Sequence, residues 1–297
     1  MITSGNFAEL LWPGIAEIWG DVYNDYAPLY EKVYEMKKSD KRFEKEQGVT
    51  GFALVGVKTE GNSIPFSDPL QGYQKEYTES TYAMGVAISR ELAEDEQYNY
   101  INSIPKKLAR SLRQTEETLA WNTFNNGFSS SYLGADGVAL FSSSHNLVGG
   151  GTYRNQLSTT SDLTQTTIEQ MMQDISDLVD DQSLKINLRP RCLVVPTQVQ
   201  FRARKIIESP YVTGSNDNDK NPIPGILSDL IVSPWLTDND AWFIVTDCDD
   251  GLTWYDRRAA EIIRDNEFDT QNLKIATTKR FSLGWTNPRG VFGTAGA

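Results

Sequence analysis

"TYAMGVAISRELAEDEQYNYINSIPKKLARSLRQTEETLAWNTFNNGF", residues 81–128, changes its hydrophobic period part of the way along. Tyr82, Met84, Val86 and Ile88 fall on one side of a two-residue alternation, and the small residues Thr81, Ala83, Gly85 and Ala87 fall on the other. That pattern predicts a strand. From about Ser89 to Phe124 the spacing becomes three, four or seven: Ile101, Ile104, Leu108, Leu112 and Leu119 form one helical stripe. Pro105 suits a first helical turn or a kink. Lys106, Lys107, Arg110 and Arg113 cluster early on this helix, as a solvated face or as a contact surface for a neighbour's carboxylates. Glu116 and Glu117 are assigned to its exposed face.

A second long strand lies near the C-terminus. Leu273, Ile275, Thr277, Lys279, Phe281, Leu283 and Trp285 share one face of a two-residue period. It is expected to pair with the strand near residue 80, around the long helix. "NPRG" then turns the chain. Between the two strands lies a compact α/β insertion. It holds a helix with Ile168, Met171, Met172, Ile175, Leu178 and Val179 on one face, and Thr166 and Glu169 stand at capping-box spacing before it. "RCLVVP", 191–196, is a short buried strand, followed by a helix with a second capping box at Thr197 and Gln200. "DLIVSPWL", "AWFIVTD" and "GLTWYD" are further strands.

Upstream, residues 6–35 are helical in pieces. Phe7, Leu10 and Leu11 share a face, Pro13 restarts the pattern, and Ile15, Ile18 and Trp19 continue it. Residues 37–48, "KKSDKRFEKEQG", are a mixed-charge linker or solvated face. Residues 49–74, "VTGFALVGVKTEGNSIPFSDPLQGYQ", have no helical period and are rich in Gly, Pro and Ser. They form an extended excursion, a two-stranded ribbon with a turn near "EGNS". A loop of that length is out of place inside a compact domain and suits a segment that lies on a partner.

The chain has 297 residues, with 28 basic and 40 acidic side chains and a net charge of −12. Such a balance opposes a dedicated nucleic-acid-binding role, which needs a positive field. The N-terminus lacks a basic n-region and is not a signal peptide. No run reaches the ~20 apolar residues that span a bilayer, so a soluble protein made in a cytoplasm is expected. The two cysteines, Cys192 and Cys248, are expected to be reduced thiols.

The search for chemistry returns little. "DGVALFSSSHNL", 136–147, contains the only histidine, His145, directly after Ser144. Adjacent side chains diverge, no second histidine exists and no G-x-S-x-G elbow is present. A serine-type hydrolase built on Ser144 and His145 is therefore the weak alternative, and a turn of small polar residues the stronger reading. "DNDKN", 217–221, departs from a calcium loop: Pro222 stands where glycine is needed and Ser228 where the last glutamate belongs. No metal, cofactor or phosphate-binding loop is expected, and the chain is not expected to be an enzyme.

The order of these parts resembles the major capsid proteins of tailed bacteriophages, in particular the Mu-like major head subunit type. The stretch quoted first is similar to the family's strand and spine helix. "GVALFSSSHNL" is similar to the crossing into the axial domain, "CLVVPTQVQFRARKII" to that domain's strand and helix, and "WYDRRAAEIIRDNEFDTQNLKIATTKRFSLGWTNPRGVFGT" to the closing strands. The resemblance implies an α+β capsid fold: an N-terminal arm (1–48), an extended loop (49–76), a peripheral domain with a long spine helix (77–135 and 262–297) and an axial domain (136–261). It implies self-assembly into pentamers and hexamers of an icosahedral head that encloses double-stranded DNA without sequence-specific contact and without a membrane. A separate scaffolding protein, a portal and head-completion proteins are the implied partners. The protein would be found in the virion after assembly in the host cytoplasm. Another structural virion or tail protein is the alternative. Phe66, Pro69, Leu70 and Tyr73 would bury on a neighbour, while Lys106, Lys107, Arg110 and Arg113 would set register. Some members join loop and neighbour covalently through lysine and asparagine, for which Lys58 near the loop tip is the candidate.

Overall fold

Two four-stranded sheets share a core with the long helix in the computed structural model, which describes residues 7–64, 66, 68–89, 98–212, 219–227, 229–267 and 272–297. The first sheet has β1 (Glu35–Lys38) at one edge, then β10 (Leu252–Asn266), β11 (Leu273–Trp285) and β4 (Ser80–Ile88) at the other edge. The two expected strands do pair: β11 lies antiparallel to β4, from Leu273 opposite Ile88 to Phe281 opposite Ser80. β10 is longer than "GLTWYD" suggests. Its second half carries Arg257, Arg258, Glu261 and Arg264, which mask the alternation, and its pairing with β11 shifts register between Asp256 and Glu261.

The helix after β4, α2, covers Tyr98–Asn125. The expected start near Ser89 falls largely among residues 90–97, outside the described residues. Pro105 lies inside the helix rather than in its first turn. Ile104, Leu108 and Leu112 pack with Ile275 of β11 and with the N-terminal helix α1 (Phe7–Asp25), which presents Ile15, Trp19 and Tyr23 at four-residue spacing. α1 is one continuous helix through Pro13. A mid-helix proline costs about 3 kcal/mol, and the buried Ile15–Trp19–Tyr23 stripe, with Trp19 and Tyr23 stacked at 5.0 Å, offsets it.

Glu116 and Glu117 overturn the expectation of an exposed acidic face, because neither has any accessible surface. Four donors converge on Glu116: Tyr23 Oη at 2.7 Å, Tyr30 Oη at 3.1 Å, Arg113 Nη1 at 2.9 Å and Lys279 Nζ at 3.1 Å. Arg113 also donates from Nε to the Tyr23 carbonyl at 2.9 Å and lies 3.6 Å from the centre of the Tyr23 ring. Glu117 accepts from the Leu29 amide at 2.6 Å and from Trp121 Nε1 at 2.8 Å. Two adjacent carboxylates thus fasten α1, the segment after it and β11 to one turn of α2. Burying a carboxylate is costly unless it is paired and hydrogen-bonded; Glu116 is both, and Glu117 is hydrogen-bonded.

An aromatic ladder crosses the same sheet. Tyr30 stacks on Trp254 at 4.3 Å, Trp254 on Phe281 at 4.3 Å and Phe281 on Tyr82 at 4.6 Å, which links β10, β11 and β4.

The second sheet runs β12 (Val291–Thr294), β9 (Trp242–Thr246), β7 (Pro190–Pro196), β8 (Asp229–Ser233). "CLVV" is apolar without alternation because both faces are covered. Cys192 and Val194 enter the core shared with Trp121, Phe124, Trp254 and Trp285. Leu193 and Val195 face the helices α3 (Gln165–Ser176) and α4 (Gln200–Glu208). Both expected capping boxes differ. The one before α3 is shifted by two residues: Thr164 Oγ1 accepts from the Thr167 amide, and Thr167 Oγ1 accepts from the Thr164 amide. Before α4 the N-cap is Val199, with no side-chain cap, and Thr197 Oγ1 instead donates to Gln198 Oε1. Both cysteines are free, and burial pushes the Cys192 thiol up to about 11 and the Cys248 thiol up to about 12. Residues 213–218, which include the first two of the expected "DNDKN" turn, and Ser228 lie outside the described residues.

Candidate assembly surface

The segment after β1 leaves the body as a ribbon of β2 (Phe43–Val49) and β3 (Gln71–Thr78), antiparallel from Phe43 opposite Thr78 to Val49 opposite Gln71. The charged run 37–48 therefore supplies β1's end and one ribbon strand rather than a linker. Alternating burial of "FEKEQGV" explains the mixed charges: Glu44 and Glu46 turn inward and their neighbours face solvent. Near the end of the pair the register slips between Gln47 and Val49, where a Cβ on Gly72 would come within 2.7 Å of the Gly48 carbonyl oxygen. Beyond it the Thr50 amide donates to the Leu70 carbonyl at 3.0 Å, and Leu70's amide donates to Thr50 Oγ1 at 2.8 Å. At the far end Asn62's amide donates to the Thr59 carbonyl around Gly61, whose φ of 84° favours glycine, so the turn falls at "EGNS" as the spacing predicts.

The root of the ribbon is firmly held. Tyr77 is buried, with its hydroxyl 2.6 Å from Thr286 Oγ1. Glu46 accepts from Lys37 Nζ at 2.8 Å and Tyr255 Oη at 2.5 Å, and from Thr286 Oγ1. Burial opposes the charge of Lys37, yet hydrogen bonds to Asp250 and Glu46 hold its ammonium above the ordinary lysine range.

The outer part of the excursion has the opposite character. Leu54 is 80% exposed, Val55 and Val57 97% and Phe66 94%, and Phe52, Ile64, Leu70 and Tyr73 are exposed as well. Single exposed apolar residues are ordinary, but a run of them on one excursion marks an interaction site. Of the residues assigned to contacts from the sequence, Phe66, Pro69, Leu70, Tyr73 and Lys58 stand together on this excursion, exposed. Lys106, Lys107 and Arg110 are exposed on α2, apart from it. Arg113 is the correction: only 8% exposed, it is consumed inside the subunit by Glu116 and Tyr23, one turn past its three exposed companions, and is not a surface cation.

The histidine is a wall residue with a defined job. His145 lies in the short strand β5 (His145–Asn146), paired with β6 (Thr152–Tyr153); it has no accessible surface, its Nδ1 is 2.6 Å from Asp136 Oδ2, and its Nε2 is 3.1 Å from Asn155 Oδ1. Asn155 in turn donates to the carbonyls of Leu140 and Val291, which fixes its oxygen toward the ring. Both ring nitrogens are engaged, Nδ1 by Asp136 and Nε2 by Asn155, so neither is available to take a proton from a serine. This overturns the Ser144–His145 hydrolase alternative. Among the described residues no group of three or more His, Cys, Asp or Glu side chains is placed to hold a metal ion, and no helix is long and apolar enough to cross a membrane.

Sequence reasoning missed Glu46 and placed Glu116 and Glu117 on an exposed face, whereas both are buried. Their signal was present only as acidic residues close to aromatic ones, a pattern too common to single out.

Comparison with known proteins agrees with this architecture. The fold is similar to the virus-like particle from Pyrococcus furiosus, with a TM-score of 0.58 at 11% identity over 95% of this chain and 98% of that chain. It is similar to a chain of Microbacterium phage Oxtober96, at 0.58 and 9% identity over 92% of each. It is also similar to the bacteriophage JBD30 capsid, at 0.58 and 15% identity over 71% of this chain and 92% of that one. No curated protein matches in sequence. The family described as "Phage capsid protein" matches residues 72–293, most of the chain, and the chain belongs to that family.

Proposed function

We propose that this chain is the major capsid protein of a tailed bacteriophage, of the Mu-like head subunit type, assembling as pentamers and hexamers into an icosahedral head around double-stranded DNA. In this reading residues 1–48 are the arm, 49–76 the extended loop, 77–135 with 262–297 the peripheral domain built on α2 as its spine, and 136–261 the axial domain. The observation that carries the reading is the contrast within the ribbon: a root fixed by Glu46, Tyr77 and Thr286, and an apolar outer part from Phe52 to Leu70 that the chain's own body leaves exposed. Copies of the same subunit supply the missing cover, and ordering of the loop is coupled to binding. The net charge of −12 suits a wall that encloses DNA without gripping it. Scaffolding, portal and head-completion proteins are the other partners, and assembly takes place in the host cytoplasm before the protein is found in the virion. Lys58 is exposed on the loop, as a covalent donor to a neighbour's asparagine must be.

The full chain, concentrated and then examined by sizing chromatography and negative-stain electron microscopy, tests this. Closed, uniform shells are expected. A monomer under every condition would sink the reading, and open tubes or flat rings would favour a tail component.

A further inference from the structure

The ribbon root, β4, β11 and the C-terminal end of α2 line a cleft of about 420 Å³ within one subunit. Tyr82, Leu119 and Leu283 give it an apolar wall. Asn122 follows Leu119 by three residues on α2, and Asn126 follows Asn122 by four, so all three come from one helix face. Neither asparagine side chain has a hydrogen-bond partner among the described residues. Clefts that bind small molecules combine apolar walls with a few polar groups of this kind.

The cation of the cleft is Lys75, half-buried on β3, with Nζ 5.1 Å from the centre of the Trp285 ring. Burial pushes its amine below the ordinary lysine range, and only Asp136 pulls the other way. Asp136 is already committed, with Oδ2 2.6 Å from His145 Nδ1. Glu76 also lines the cleft, but it pairs with Lys45 at 3.3 Å. Among the described residues no carboxylate forms an ion pair with Lys75. Lys37, Arg113 and Lys279, which are buried to a similar or greater degree, each meet one. In a chain with 40 acidic side chains, a desolvated ammonium left without a counter-charge marks a place for an anion from outside.

We propose that this cleft binds a small monocarboxylic acid with an apolar body. The carboxylate pairs with Lys75 Nζ and accepts from the side-chain amides of Asn122 and Asn126, and the body lies on Tyr82, Leu119 and Leu283. Every group named belongs to a single subunit, so the site does not depend on the assembly reading.

Calorimetric titration of the full chain with 3-phenylpropionate, and with 3-phenylpropanol as its uncharged counterpart, tests the site. The acid is expected to bind with a Kd of about 1 mM or tighter, and about tenfold or more tighter than the alcohol. Lys75→Met should bring the two ligands to within about twofold of each other. A second measurement needs no variant: the acid should slow acetylation of Lys75 by acetic anhydride about tenfold, read by mass spectrometry, and leave the exposed Lys58 unchanged. Equal binding of acid and alcohol, a weaker Kd for the acid, or acetylation of Lys75 at an unchanged rate in its presence would each overturn the proposal.

Discussion

At Glu116 a single carboxylate answers two cations and two phenols: Arg113 from its own helix, and Tyr23, Tyr30 and Lys279 from parts of the chain far away in sequence. Removing it leaves Arg113 buried without its carboxylate and Lys279 with only Asp256, 4.0 Å away, so Glu116→Ala is expected to cost about 3–5 kcal/mol in denaturant unfolding. A loss below about 1 kcal/mol would contradict its role as the node. Glu117 gives a pH-dependent counterpart. Burial raises its carboxyl above the ordinary value of 4.5, against the opposing hydrogen bonds from Leu29 and Trp121. The native state therefore holds this proton to a higher pH than the unfolded chain does. Its stabilising contribution is complete below the unfolded value and is lost as pH rises through the raised folded value. Wild type should gain on Glu117→Gln as the pH is lowered from 7 toward 4.5, read from urea midpoints, and a constant or reversed gap would refute this. Both residues read as exposed in the sequence. A buried and an exposed glutamate on a helix look alike until the partner elements are placed, and Arg113 was misread with its neighbours for the same reason.

Elements were easier to see than their partners. The period change at residues 81–128 located β4 and α2, and alternation from Leu273 located β11; α2 and β11 each bury one face, whereas of β4's apolar face Ile88 is buried and Met84 and Val86 stay exposed. The second half of β10 stayed hidden, since a strand with bulges and little burial shows no clean alternation. The ribbon was legible as an excursion but not in extent. Its first strand begins at Phe43 within a charged run, and only the placement of Glu46 beneath Tyr255 and Thr286 explains those charges. The division of labour between root and outer loop makes a prediction. Phe66 is almost fully exposed, so Phe66→Ser should change subunit stability by no more than about 0.5 kcal/mol. The same variant should nonetheless assemble poorly in light scattering. A variant that unfolds, or one that assembles like wild type, would place Phe66 elsewhere in the account.

For the molecule as a whole, charge and shape pull in opposite directions. Copies that each carry −12 repel one another, while their uncovered apolar loops draw them together. Raising salt shortens the screening length from about 10 Å at 0.1 M to about 3 Å at 1 M. Assembly is therefore expected to be faster and more complete at higher ionic strength, followed by light scattering at fixed protein concentration, and inhibition by salt would show that opposite charges dominate the contacts. The central claim is that the outer loop is covered by another copy of the chain. A cryo-electron microscopy map of the assembled product tests it most directly. The account predicts density for residues 50–70 lying against a neighbouring subunit, with Leu54 and Phe66 withdrawn from solvent. A map in which those side chains stay in solvent, or in which each loop folds back onto its own subunit, would contradict it.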